Sequence, residues 1–274
     1  MWPSEPVHVL DLFAEEREAL LALLAGLTDE EWGQSTACAG WSVCDVVRHL
    51  LGGDLTNLSR RRDGYNVPSP APGEPIVAFI NRVNEEWMRA ARRLSPRLLV
   101  DLLGFSGPPL FAYFASLDLS ALGGPVSWAG PDPAPVWLDV AREYTERWHH
   151  QQHIRDAVGK PGLTDRRLMW PVLATFVHAL PVTFRDVDAP DGTVVQLHIS
   201  GNAGGDWSVV SEAGRWVLYI GAPSSVAASV ALDQSAAWRL FTKGLGPREA
   251  QQQATITGDQ DLGERVLHTV SIIA

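Results

Sequence analysis

Apolar residues recur at helical spacing through roughly the first 160 residues, and the texture then changes to short β-rich runs divided by glycine. Val9, Leu12, Phe13, Leu20, Leu23 and Leu24 share one face, with Glu15, Glu16 and Glu18 elsewhere, which predicts an amphipathic helix over 9–24. Thr28-Asp-Glu-Glu31 reads as a capping box opening a short helical turn that ends in Trp32. A second such box, Ser42-Val-Cys-Asp45, starts a helix carrying Val43, Val46, Val47, Leu50, Leu51, Leu55 and Leu58 on one broad side. His49, Asp45, Gly52, Gly53 and Thr56 fall on the other side, and two mid-helix glycines cost about 1 kcal/mol each, so they imply a close neighbour. The prolines of 66–75 predict a loop, and Ile80, Val83, Trp87, Ala91 and Leu94 a third helix over 76–94.

Segments 98–103 and 110–117 are apolar and helical in texture, interrupted by Gly104, Gly107, Pro108 and Pro109. Residues 123–135, rich in Gly and Pro and containing Trp128, read as a loop over one end of a bundle. A long helix over 135–158 follows, stopped by Gly159 and Pro161. Its apolar stripe is Trp137, Val140, Ala141, Tyr144, Trp148 and Val158, which lies opposite Glu146, His150 and His153. Periodicity alone therefore favours a solvated Glu/His face over one lining a covered cleft. One more helix is predicted over 163–182, then strands over 193–199, 207–210, 215–220 and 224–232. Asp233 caps a helix ended by Gly244, 254–257 is a short strand, and 259–273 a closing helix. The expected fold class is α+β in two domains, 1–162 helical and 163–274 a smaller sheet-bearing domain.

Composition narrows the function classes. The chain has 274 residues, long enough for two cores, and a formal net charge of −10, which argues against a nucleic-acid partner. Arg60-Arg61-Arg62 is the only basic run, and it suits a helix end. No apolar run reaches the roughly 18 residues of a membrane span, and Met1-Trp-Pro-Ser-Glu-Pro6 lacks the features of a signal peptide. Two cysteines are too few for a disulfide framework, so a cytoplasmic location is expected. Eleven tryptophans imply large packed surfaces or an aromatic-lined cleft.

Three of the eight histidines lie between His149 and His153, just after Glu146. At about 100° per residue, Glu146, His149, His150 and His153 project within roughly a 100° arc. A carboxylate and imidazoles on one face are oxygen and nitrogen ligands for a borderline divalent ion such as zinc, although an ordinary polar face has the same spacing. Spacing does not choose between His149 and His150.

Gly40-Trp-Ser-Val-Cys-Asp-Val-Val-Arg-His-Leu50 resembles the "GWS-x-x-D-V-x-x-HL" signature of the mycothiol-dependent maleylpyruvate isomerase family, part of the DinB/YfiT-like four-helix superfamily. Glu146-x-x-x-His150-x-x-His153-Ile-x-x-Ala157-x-Gly159 resembles the family's "E-x-x-x-H-x-x-D-I-x-x-A-x-G" segment. The stretch from Trp207 to Ala274 is similar to the family's smaller C-terminal domain, of α/β, sterol-carrier-protein-like type. The resemblance implies a metal triad of His49, Glu146 and His150, usually zinc, at one end of the bundle in a cleft facing the C-terminal domain. It selects His150 over His149 and departs at His153, where the family commonly has Asp. Asp45, one turn before His49, is a candidate to orient that imidazole, and His153 an extra ligand or proton shuttle. Arg239 and Arg215 are candidates for binding an anionic substrate.

The activity implied is that of a metal-dependent isomerase or S-transferase using mycothiol or a similar low-molecular-weight thiol on a small electrophile. Cys38 and Cys44 are read as structural, since the thiol comes from outside. The rival readings are a metal-dependent hydrolase of a small amide or ester, and a non-catalytic metal- or ligand-binding relative. The expected partners are a small substrate and a thiol, with no nucleic acid or membrane, in a monomer or weak homodimer.

Overall fold

The computed structural model of the protein describes residues 1–65 and 69–272. The first residues of the predicted 66–75 loop and the last of the closing helix thus lie outside the described residues. The chain is a mixture of helices and one six-stranded sheet, an α+β protein. Its contacts divide it into two compact units. One comprises residues 9–118 and 143–163; the other comprises 1–8, 119–142 and 164–272.

The first unit is helical. Its elements are α1 (Leu12–Ala25), α2 (Asp29–Gly33), α3 (Val43–Thr56), α4 (Ile76–Ala91), α5 (Pro96–Ala115) and the second part of α6 (Val136–Ala157). Both predicted capping boxes form: Thr28 accepts from the Glu31 amide while Glu31 reaches back, and Ser42 and Asp45 do the same. α3 continues through a π-helical turn, Asn57–Arg62. Leu20, Leu24, Val43, Val47, Leu50, Leu51, Leu99, Leu103 and Ile154 form the apolar core, with Trp32 closing it.

α5 departs from the expectation of two broken pieces. It is one continuous 20-residue helix despite Pro108 and Pro109, and is long and apolar enough to cross a membrane by length and composition. The adjacent prolines remove only two consecutive backbone donors. Leu99, Leu103, Leu110 and Phe114, all buried, hold the helix on both sides of that gap. The close neighbour implied by the α3 glycines is Trp87 of α4. A Cβ on Gly52 would lie 2.5 Å from Trp87 Nε1, which donates to the Arg48 carbonyl at 2.7 Å.

Packing alone does not set the rotation of α6, because the unit encloses a charged network. Asp54 of α3 is fully buried and takes Arg17 of α1 at 2.8 Å and Arg147 of α6 at 3.0 Å, one on each carboxylate oxygen. Ser106 of α5 donates to the same carboxylate at 2.7 Å. Arg147 also pairs with Glu143 at 2.9 Å, and Asn57 donates to Glu143 at 3.0 Å. One turn further along α6, Gln151 donates to buried Glu16 at 2.7 Å. Burial alone would raise the Asp54 carboxyl, but Arg147, Arg17 and Ser106 outweigh it and hold its pKa below the ordinary value.

The second unit carries the sheet, in the order β1-β4-β3-β2-β5-β6. The strands are β1 (Trp2–Pro3), β2 (Val194–Ser200), β3 (Gly205–Glu212), β4 (Arg215–Ile220), β5 (Ala228–Asp233) and β6 (Thr255–Gly258). β2 and β5 run parallel, and every other pairing is antiparallel. The predicted 163–182 helix is α7 (Arg166–Phe176), a 3-10 turn and then α8 (Leu180–Thr183). α9 (Gln234–Phe241) is capped by Asp233 as expected, but Lys243, at φ +62°, takes the left-handed turn expected near Gly244. α10 (Pro247–Gln253) has no counterpart in the sequence reading, since among its residues only Ala250 is buried.

α11 (Gln260–Val266) is shorter than the predicted closing helix. Beyond it the chain leaves the helix, and Ser271 binds the Phe241 carbonyl through its amide and the Phe176 carbonyl through its hydroxyl. Trp128, read as a loop residue, is buried against Val126, Leu138 and Ala179.

Two measurements check this account. Asp54→Asn strands two buried guanidinium groups and should cost about 3–5 kcal/mol in urea unfolding at neutral pH. Because the folded pKa of Asp54 is depressed, its contribution is complete above the unfolded value near 3.9 and is lost as pH falls through the folded value, so the gap between variant and parent should close in acid. Gly52→Ala drives a methyl into Trp87 and should cost about 1–3 kcal/mol, whereas Gly53→Ala, whose Cβ meets open space, should cost no stability.

Candidate metal centre

The buried network fixes which face of α6 turns toward α3. With Glu143, Arg147 and Gln151 aimed at Asp54, Asn57 and Glu16, residues 146, 150 and 153 face α3 and the loop before it. That face is mostly buried, contrary to the reading from periodicity, although the Glu146 side chain keeps 35% exposure. His149, His150 and His153 are buried, at 3%, 7% and 7% exposure. The apolar stripe is not the only inward face, because residues 143–154 of α6 include none that is exposed.

His49 Nε2 lies 2.9 Å from Glu146 Oε1, and His150 Nε2 lies 3.1 Å from the same oxygen. The ligand atoms of His49, Glu146 and His150 all fall within 4.8 Å of one another. A tetrahedral ion with bonds of about 2.0–2.1 Å separates its ligand atoms by about 3.3 Å, so the donor set fits a borderline divalent ion. His149 is not among the ligand atoms grouped with His49 and Glu146, and its Nδ1 lies 2.8 Å from the Thr145 carbonyl. The geometry groups His150 rather than His149 with His49 and Glu146.

The electrostatics suit a ligand set. Burial, reinforced by neighbouring His150, lowers the His149 pKa to about 3. Burial likewise lowers His150 to about 4 against the pull of Glu146, so its imidazole is neutral and has a lone pair to give. Burial would raise Glu146, but His150 and His49 outweigh it and hold the carboxylate well below the usual range. Trp41 lies beside His49, ring centroids 5.1 Å apart, and limits its motion.

The remaining predicted residues divide. His153 joins the cluster, its ring centroid 5.5 Å from that of His150. Asp45 does not orient His49: one oxygen takes the Ser42 amide and hydroxyl, and the other takes Arg48 at 2.8 Å. Its place in the capping box explains this, since the box directs the carboxylate back to the helix start. Arg239 and Arg215 belong to the sheet-bearing unit. Arg239 binds the Ser235 hydroxyl and carbonyl and lies over the Trp238 ring at 4.5 Å, and Arg215 stands exposed on β4 opposite Glu212.

One further residue lies beside the cluster. Cys38, read as structural, places its Sγ 3.2 Å from His153 Nδ1 and 3.8 Å from His150 Nδ1. It sits on a tight loop closed by a Ser35–Ser42 bridge and by the Thr36 amide on the Trp41 carbonyl, with Gly40 at φ +77° making the turn. Burial pushes the Cys38 thiol pKa up, with Glu146 adding and Thr36 opposing. The available sequence signal was its position two residues before Gly40-Trp41, on the loop that delivers the α3 signature. Cys44 is core, as expected.

Beside His49 the helical unit holds a cavity of about 520 Å³. His49, Gly53, Thr56, Arg60, Phe79 and Trp87 are among its walls; the α4 side is apolar at Phe79, Ile80, Val83 and Trp87 but also carries Asn84 and the Glu86 carboxylate, and Arg60 brings a cation.

Residues 13–155 match the family described as the mycothiol maleylpyruvate isomerase N-terminal domain. The chain belongs to this family. Two solved structures share its fold. A crystal structure of the mycothiol-dependent maleylpyruvate isomerase, in a His-to-Ala variant, superposes with a TM-score of 0.53 at 14% identity, covering 90% of this chain and 91% of that one. A second crystal structure of the mycothiol-dependent maleylpyruvate isomerase gives a TM-score of 0.51 at 14% identity, covering 84% and 86%. At that identity the likeness is one of fold. No curated protein matches the chain.

Metal analysis of the purified protein tests the ligand set. His49→Ala and Glu146→Ala should each lower bound zinc or lower its affinity by roughly tenfold or more, whereas His149→Ala should not if it folds. Unchanged stoichiometry and affinity in both of the first two variants would overturn the triad.

Proposed function

We propose that the protein is a divalent-metal-dependent enzyme, with zinc the best fit, that uses a low-molecular-weight thiol such as mycothiol either to isomerise a small electrophile or, as an S-transferase, to form a thioether with it. The observation that carries this reading is the convergence of His49 and His150 on one oxygen of Glu146, with His49 also lining a cavity large enough for a small substrate. Three protein ligands leave an exchangeable position, the pattern of catalytic rather than structural zinc. An ion held there would supply Lewis acidity, lowering the pKa of a thiol at that position so that it reacts as thiolate near neutral pH.

The chain's own residues do the rest. As ligands of an ion, two imidazoles and the Glu146 carboxylate would form a donor set of net charge −1, which partly offsets a divalent cation. Phe79 and Trp87 shield one side of the cavity from water, and Arg60 presents a cation to an anionic substrate group. In an isomerisation the thiol sulfur adds to one carbon of the double bond, and the remaining single bond rotates. Expulsion of the thiol then restores the double bond in the other geometry and regenerates the thiol. In an S-transfer the adduct is released instead. Membership of the mycothiol maleylpyruvate isomerase N-terminal domain family supports both outcomes. The acidic chain and the lack of a long basic run support a small-molecule partner over a nucleic acid.

Calorimetry on zinc-loaded protein with mycothiol, glutathione and cysteine tests the thiol. Saturable binding of mycothiol that is lost in His49→Ala is expected. No binding of any of the three to metal-loaded protein would overturn a thiol-dependent mechanism and favour metal-dependent hydrolysis or a binding role. A second expectation concerns substrate charge: Arg60→Gln should raise KM for an anionic substrate by roughly 5–150-fold with kcat little changed, as loss of a charge-assisted contact of about 1–3 kcal/mol requires.

A further inference from the structure

His150 has two ring nitrogens, and the triad uses only one. Its Nε2 faces Glu146, while its Nδ1 faces Cys38 Sγ at 3.8 Å, and His153 Nδ1 lies 3.2 Å from the same sulfur. The ligand atoms of Cys38, His150 and His153 fall within 4.8 Å of one another, the bound that also holds for the triad. A tetrahedral ion bonded to sulfur at about 2.3 Å and to nitrogen at about 2.0–2.1 Å separates those atoms by about 3.6 Å, between the two distances observed. Both histidines are buried, and Cys38 is held by the Ser35–Ser42 loop rather than on a free tail.

We propose that Cys38, His150 and His153 form a second, thiolate-bearing metal site that shares His150 with the triad and takes soft or borderline ions such as Zn²⁺, Co²⁺ or Cd²⁺. The two donor sets differ in character. One offers two imidazoles and a carboxylate; the other offers two imidazoles and a thiolate, the softer set. The sulfur bonds as thiolate, its proton passing to solvent when the ion enters. A neutral imidazole has one lone pair to donate, so an ion in one set commits His150 and leaves the other short of a ligand. The two sites are therefore alternatives around one histidine. Ion identity selects between them, with soft ions drawn to the sulfur side.

Cobalt(II) titration of the full-length protein reads the sulfur directly, because a cobalt–thiolate bond produces a ligand-to-metal charge-transfer absorption and nitrogen or oxygen ligands do not. The wild type should develop that band. Cys38→Ser, nearly isosteric, should abolish it; His153→Phe should weaken cobalt affinity at the band by roughly tenfold or more; and His49→Ala, outside this set, should keep it. Cobalt-loaded wild type without the band overturns the proposal, as does a band that survives Cys38→Ser. Loss of the band in a folded His49→Ala overturns a site separate from the triad, and its retention upholds the site even if the triad itself binds nothing. Should Cys38→Ser fail to fold, alkylation of Cys38 by iodoacetamide in the wild type decides: protection by Cd²⁺ supports the site, and unchanged alkylation refutes it.

Discussion

The helical unit depends on the burial of Asp54 between two arginines. A carboxylate with no exposure would be intolerable alone, and so would the guanidinium groups of Arg17 and Arg147 at its sides. Each group makes the others affordable, and together with Ser106 they draw one residue from each of α1, α3, α5 and α6 to a single point. Such a network adds little net stability over apolar packing of the same volume; its contribution is specificity of arrangement. Apolar side chains can slide past one another at small cost, whereas two bonds to opposite oxygens of one carboxylate cannot.

That specificity reaches the candidate site through a single residue step. Arg147 follows Glu146, so anchoring the guanidinium on Asp54 sets the direction of the Glu146 carboxylate about 100° around the helix. Gln151 repeats the arrangement one turn later, pinned to Glu16 beside His150. On the facing helix, the Ser42–Asp45 box fixes the start of α3 and thereby the height of His49. Ligand geometry here is a product of interactions outside the ligand cluster, which is what a preorganised site requires. The loop carrying Cys38 depends on the same capping box, since Ser42 both caps α3 and bridges to Ser35.

Much of this was legible in the sequence, and the failures have physical causes. Caps are local, so both boxes and the Asp233 cap were readable, and alternating β-rich runs located β2 to β6. α10, with one buried residue, has no periodic pattern to detect, and two-residue β1 exists only through its pairing with β4. Pro108 and Pro109 predicted a break because local cost is visible in sequence, whereas the packing of Leu99, Leu103, Leu110 and Phe114 that overrides it is not. At the site, His49, Glu146 and His150 could be named together only through the resemblance. Periodicity placed the Glu/His face in solvent because it assumes that polar residues point outward, and α6 satisfies its polar groups with one another and with α1 and α3. The neighbours of Asp45 and Cys38 were not legible for a related reason: they are set by where a side chain points, and spacing does not report that.

A consequence of α6 concerns how this chain can vary. An ordinary surface helix carries a face on which substitutions are nearly neutral, and that face absorbs most of the drift between relatives. From Glu143 to Ile154 this helix has no such face, because every turn holds a core contact, a charged tie or a candidate ligand. A change at one position there can be accommodated only by a matched change on α1, α3 or the Cys38 loop. Variation in this segment is therefore expected to come in correlated pairs, and a lone exchange in it signals altered chemistry rather than tolerated noise.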